Sequence, residues 1–248
     1  MHKKIIVLSH SHFPIITHMH HHEEKHLQSS ALLTDIVIGM ADGLTVPFAL
    51  AAGLSGAVDS TSLIIVAGVA EIAAGSIAMG LGGYLAGKTE MDHYNAELKK
   101  ECEEVETIPE KERQEVRQFF IDLGLSEDVQ NKAVSELTSD KKRWVDFMMR
   151  YELNLEKPDP ARAQKSAMNI GFSYIVGGIV PLSPYFFIHN TMYALQLSAI
   201  ITLCCLFIFG FFKSKITGIT PVWGGLRVML IGAAAAAAAF GIAKLLGA

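Results

Sequence analysis

The chain has 248 residues, of which 50% are hydrophobic and 19% charged, with a formal net charge of −4 and a mean hydropathy of +0.32. This is too apolar for an ordinary soluble domain, and the two percentages reconcile only if the charge is segregated. It is: residues 88–165 carry 14 Lys+Arg and 19 Asp+Glu, a net of −5, and nearly all the remaining length is apolar.

In chain order, residues 1–30 form a polar segment with His18, His20, His21, His22 and His26. It is expected to be disordered or peripheral; clustered histidines suit a metal ion but fix no geometry. Ile5–Leu8 is too short for the apolar core of a signal peptide, so targeting is expected to rest on the first span. That span is predicted over residues 32–56 and a second over 62–87, with a polar insert over 89–165. Three more spans are predicted over 167–187, 192–212 and 224–246, each near the ~20 residues an apolar helix needs to cross a bilayer. The domain reading is 1–30, spans one and two over 31–88, the insert over 89–165, and spans three to five over 166–248.

The second span continues in helix-compatible sequence with no breaker before Pro109, so a helix projecting well beyond the bilayer is expected. Thr107 and Glu110 have capping-box spacing, and Ser126 and Ser139 suit the starts of two further helices, the last over 140–155. The insert thus reads as three main helices and a short fourth, without strands. The fold class is all-α: a polytopic membrane protein of five transmembrane helices with a helical insert between spans two and three.

The loops at 57–61 and 182–191 lack Lys and Arg, whereas the N-terminal segment, the insert and the 213–221 loop are basic or contain basic residues. The positive-inside rule then places the N-terminus and insert in the cytosol, with Lys244 dissenting. Cys102, Cys204 and Cys205 form no C-x-x-C pair, and the last two are expected to pack within a span.

Asp35, Asp42 and Glu71 lie in the first two apolar runs. A carboxylate at bilayer depth costs roughly 2.5–3.5 kcal/mol on insertion scales, so it is kept mainly where it faces a polar interior. Asp35 and Asp42, seven apart, share a helix face, as do Glu71 and Met79, eight apart. Pro47 cannot donate to the Gly43 carbonyl, which leaves a backbone oxygen free near Asp42. No Lys or Arg is expected at this depth to neutralise the acids. The arrangement suits a cation; the alternative is polar contacts that only fix packing.

In the insert, Glu101 with Glu104, and Glu112 with Glu115, are like-charged i,i+3 pairs that a divalent ion would relieve, or else solvated acidic helix faces. Met148, Met149 and Glu152 place thioethers beside a carboxylate, a donor set that leans toward transition metals, or else the methionines fill a core under Trp144 and Phe147. The dense small residues of the second span, Gly75 to Gly87, suit close helix packing.

The stretches Asp42–Gly56, Ala70–Ala86 and Gly177–Tyr185 closely resemble the vacuolar iron transporters, in order and over about residues 30–247. The resemblance implies a five-span homodimer that exchanges cytosolic Fe²⁺ for protons across a vacuolar membrane, or across the cytoplasmic membrane in a prokaryote. It implies a translocation path through Asp42 and Met79, with Glu71 nearby. It also implies a cytosolic metal-binding domain whose ligands are Glu101, Glu104, Glu112, Glu115, Met148, Met149 and Glu152. The implied partners are divalent metal ions, protons, the bilayer and a second copy, with no nucleic acid and no prosthetic group. Manganese or zinc are alternative cargoes, since carboxylate and thioether ligands do not choose sharply among such ions. A non-transporting metal sensor is a rival reading. An enzyme is disfavoured, because there is no intramembrane histidine pair for haem and no nucleotide motif.

Overall fold

The computed structural model describes residues 25–246, with side chains from residue 31. The N-terminal histidine segment, apart from the helical backbone at its end, lies outside the described residues. Every regular element among those described is helical.

Helix α1 runs over Lys25–Ala57 and α2 over Thr61–Thr107. Ser60 starts α2, its hydroxyl accepting from the Leu63 amide at 3.3 Å. The insert adds α3 (Pro109–Asp122), α4 (Glu127–Leu137) and α5 (Lys141–Phe147), the last continuing into a π-helical turn over Met148–Glu152. Then come α6 (Arg162–Leu182) with a 3₁₀ turn over Ser183–Phe186, α7 (Thr191–Ile216) and α8 (Pro221–Leu246). Five helices, α1, α2, α6, α7 and α8, are long and apolar enough to cross a membrane.

The elements follow the predicted order, with local corrections. Helix α1 begins at Lys25, inside the segment read as irregular, and α6 begins five residues before the predicted third span. No capping box forms at Thr107: its hydroxyl bonds back to the Glu103 carbonyl at 2.8 Å, and Ile108 caps α3 without a side-chain bond. Asp140, not Ser139, caps α5, accepting from the Arg143 amide at 2.8 Å. The carboxylate simply sits one residue nearer the first free amides. Cys204 is exposed on α7, so only Cys205 is partly packed.

Helix α6 lies against both α1 and α2, while α8 packs against α1 and α7. Small residues permit the close approach at α6. A Cβ placed at Gly39 would lie 2.3 Å from the Ile170 carbonyl oxygen, and one at Gly87 2.8 Å from the Ala163 Cα. The packing role predicted for the second-span glycines therefore holds at Gly75, Gly80, Gly83 and Gly87, but not at Gly82, which has nothing within 4 Å. Helix α1 continues unbroken through the buried Pro47.

The bundle and the insert have separate cores. In the bundle, Ile64, Ile72, Leu182, Tyr185 and Ala51 pack together, beside a cluster of Phe48, Ala52 and Ala236. In the insert, Tyr94 and Val105 from the far end of α2 pack with Val116, Val134, Trp144, Val145, Met148 and Met149. Helix α2 thus belongs to both: its apolar half lies in the bundle and its polar half forms one wall of the insert. Leu125 returns to bond the Phe120 carbonyl after Gly124, whose φ of +75° supplies the left-handed residue that ends α3.

Candidate metal centre

Three carboxylates of the insert converge. Glu101 from α2, Glu112 from α3 and Glu152 from the π turn each place one oxygen within 4.8 Å of the others. Glu101 and Glu112 are only 2% and 1% exposed. Glu101 Oε2 and both Glu112 oxygens are buried with no hydrogen-bond partner. A buried carboxylate without a partner is costly, and two facing each other more so, which is the state a bound cation relieves. The π turn contributes directly. Its wider i→i+5 closure, from the Leu153 amide to the Met148 carbonyl at 3.1 Å, carries the chain round at Glu152.

Burial pushes the Glu101 carboxyl up to about 7, with the charges of Glu152 and Glu104 adding in the same direction. Burial likewise lifts Glu112 to about 7, helped by Glu115 and Glu101. Glu152 is raised by desolvation of its carboxylate end and by Glu115, although the residue as a whole is exposed. Glu104 and Glu115 stand at the rim, held by basic neighbours: Lys100 lies 4.0 Å from Glu104, and Lys111 bonds Glu115 at 2.8 Å. Met148 and Met149 are 1% and 2% exposed and belong to the core with Trp144. The core-filling reading of these two methionines therefore describes their packing, and they open the turn that carries Glu152.

The membrane-length helices hold the second group. Asp42 and Met79 are half-buried on α1 and α2. Glu71 accepts a hydrogen bond from the Tyr174 hydroxyl of α6, and its Oε2 is buried without a partner. Tyr174 also abuts the residue next to Asp42, since a Cβ at Gly43 would lie 2.3 Å from its carbonyl oxygen.

Asp35 is different. It is 1% exposed and fully engaged by α6. Arg162 donates to its two oxygens at 2.6 and 3.0 Å, Ser166 donates at 3.0 Å and Asn169 at 3.3 Å. The expectation that no basic side chain reaches these acids is corrected here: Arg162, assigned to the insert from sequence, is the first residue of α6 and forms a fork with Asp35. Sequence reasoning missed Arg162, Ser166, Asn169 and Tyr174. Only an Arg just ahead of an apolar run, with an Asn and a mid-run Tyr inside it, could have signalled them.

Fold and sites together define an integral helical membrane protein with a carboxylate cluster in its polar insert. Residues 33–244 match the model of the VIT family. Vacuolar iron transporter 1 of Tulipa gesneriana is 52% identical over 223 residues, 90% of each chain. Vacuolar iron transporter 1 of Arabidopsis thaliana is 50% identical over 228 residues, 92% of this chain and 91% of that one. Protein CCC1 of Saccharomyces cerevisiae is 38% identical over 224 residues, 87% of this chain and 69% of its own length. The chain belongs to the VIT family, a family of transporters rather than enzymes.

Proposed function

We propose that the protein moves Fe²⁺ out of the cytosol into a vacuole in exchange for protons. The observation that carries the metal part is the convergence of Glu101, Glu112 and Glu152 from three separate elements, with three buried oxygens that accept no hydrogen bond and only Lys111, 3.8 Å from Glu112 Oε1, to offset Glu112. Iron and the vacuole come from the names of relatives about half identical over nine-tenths of the chain.

In this reading Glu101, Glu112 and Glu152 form the centre of a cytosolic collecting site. Glu104 and Glu115 supply charge at its rim, and Met148 and Met149 are the soft neighbours. The membrane path runs by Asp42, Glu71 and Met79. Asp35, with every oxygen engaged by α6, acts as an anchor rather than a ligand. Carboxylates bind metal only when deprotonated, so a proton arriving from the far side competes for the same oxygens and releases the ion. The basic residues of the insert and of the 213–221 loop support a cytosolic face for both. The exposed apolar side chains Val66, Val69, Ile77, Leu81 and Leu85 on α2 suit lipid, and they leave an apolar face that a second copy could share in the homodimer this reading carries.

Proteoliposomes test the proposal. The wild-type chain under an inward-acid gradient should take up Fe²⁺, and Asp42→Ala should abolish uptake; equal rates in the two would remove Asp42 from the path. The donor set also favours Mn²⁺ as a second cargo. Uptake measured with each ion competing against the other separates them, and metal binding without flux would mark a sensor.

A further inference from the structure

Tyr174 is 2% exposed in the middle of an apolar helix, with a hydroxyl that needs a partner. It donates to Glu71 Oε1 across the α2–α6 interface. The ring has room only because α2 lacks a side chain opposite it: a Cβ at Gly75 would lie 2.5 Å from the Tyr174 hydroxyl oxygen and 2.5 Å from its Cζ. Glu71 Oε2 is buried and has no hydrogen-bond partner. The two oxygens of one carboxylate are therefore unequal, one committed to a phenol and the other unmet.

We propose that Tyr174 is a specificity-determining residue, which by holding Oε1 limits Glu71 to a single coordinating oxygen and so discriminates against calcium. The inference rests on the reading of Glu71 as part of the metal path. Calcium collects 6–8 oxygen ligands and commonly takes a carboxylate through both oxygens, whereas transition-metal ions manage with fewer donors and accept a thioether such as that of Met79. A carboxylate reduced to one free oxygen removes the bidentate option without removing the charge. Tyr174 thus acts through Glu71, and Gly75 acts through Tyr174.

The test is Fe²⁺ uptake by the full chain in proteoliposomes, with Ca²⁺ as competitor, for wild type, Tyr174→Phe and Gly75→Ala. Phenylalanine keeps the ring and releases Oε1; the alanine methyl drives the hydroxyl away from Glu71. Both variants should lower the ratio of the Ca²⁺ inhibition constant to the KM for Fe²⁺ by roughly tenfold. A purely structural role would reduce maximal rates alike for every ion and leave that ratio where it was. An unchanged ratio in a transporting variant overturns the inference and leaves the path reading intact. Absence of flux in the wild type overturns the path reading and the inference with it. Gly75→Ala keeps the question decidable if Tyr174→Phe does not fold, and Ca²⁺ binding to detergent-solubilised protein decides it if neither variant transports: tighter binding than wild type supports the proposal, equal binding sinks it.

Discussion

Glu112 is a buried carboxylate that accepts no hydrogen bond, with Lys111 3.8 Å from one oxygen. Its carboxyl titrates near 7 instead of its ordinary 4.5, as does that of Glu101, because burial penalises the charged form. The folded chain therefore holds these protons more tightly than the unfolded chain. Below about 4.5 the groups cost nothing; the cost grows as pH rises toward 7 and is complete above it. The metal-free protein should accordingly melt lower at pH 8 than at pH 5, and Glu112→Gln should flatten that slope in thermal scans of detergent-solubilised protein. The same substitution should weaken metal binding on the order of 10–100-fold by calorimetric titration. Asp35 is held by a fork from Arg162 rather than left without a partner. Removing its partner with Arg162→Ala leaves a buried unpaired charge and should cost about 3–5 kcal/mol of stability, with Asp35→Asn in the same chain restoring much of it. If the double variant melts no higher than Arg162→Ala alone, the fork is not what holds α1 to α6.

The helices differ in how openly the sequence announces them. The five apolar runs and the projection of α2 were legible because length and hydropathy are local properties. The i,i+3 spacing of the glutamates was equally legible, but spacing shares a face and does not choose which face meets a neighbour. Only tertiary packing brings Glu101, Glu112 and Glu152 together and leaves Glu104 and Glu115 at the rim. The forks and hydroxyls of α6 were invisible for the same reason, since Arg162 lies 127 residues from Asp35. Helix contacts at α6 also set which glycines matter. Gly43→Ala meets backbone at 2.3 Å, and should cost about 1–3 kcal/mol as an overpacked contact. Gly82→Ala meets nothing within 4 Å and should be neutral or raise stability by up to about 1 kcal/mol through helix propensity. Melting both variants side by side checks the contrast, and equal losses would show that the α6 interface does not set the order.

At the scale of the whole chain, two cores are joined by one continuous helix of 47 residues. Metal added to the apo protein at neutral pH should raise the melting temperature of the insert's core more than that of the bundle. A reporter at Trp144, which lies in the insert core, reads the first, and Trp223 on α8 reads the second. The shift should shrink at pH 5, where protons already occupy the carboxyls.

Glu71 and Glu101 sit thirty residues apart on α2, which on a straight helix is about 45 Å and about a third of a turn out of phase. That is several Debye lengths at physiological salt, so neither carboxylate senses whether the other is loaded. In the proposed function the two carboxylates stand too far apart to share one ion, so an ion held by the insert has to leave it and bind again. On that proposal the insert acts as a buffer that sets the free-ion concentration at the mouth, and losses from disabling the two stations should multiply rather than mask one another.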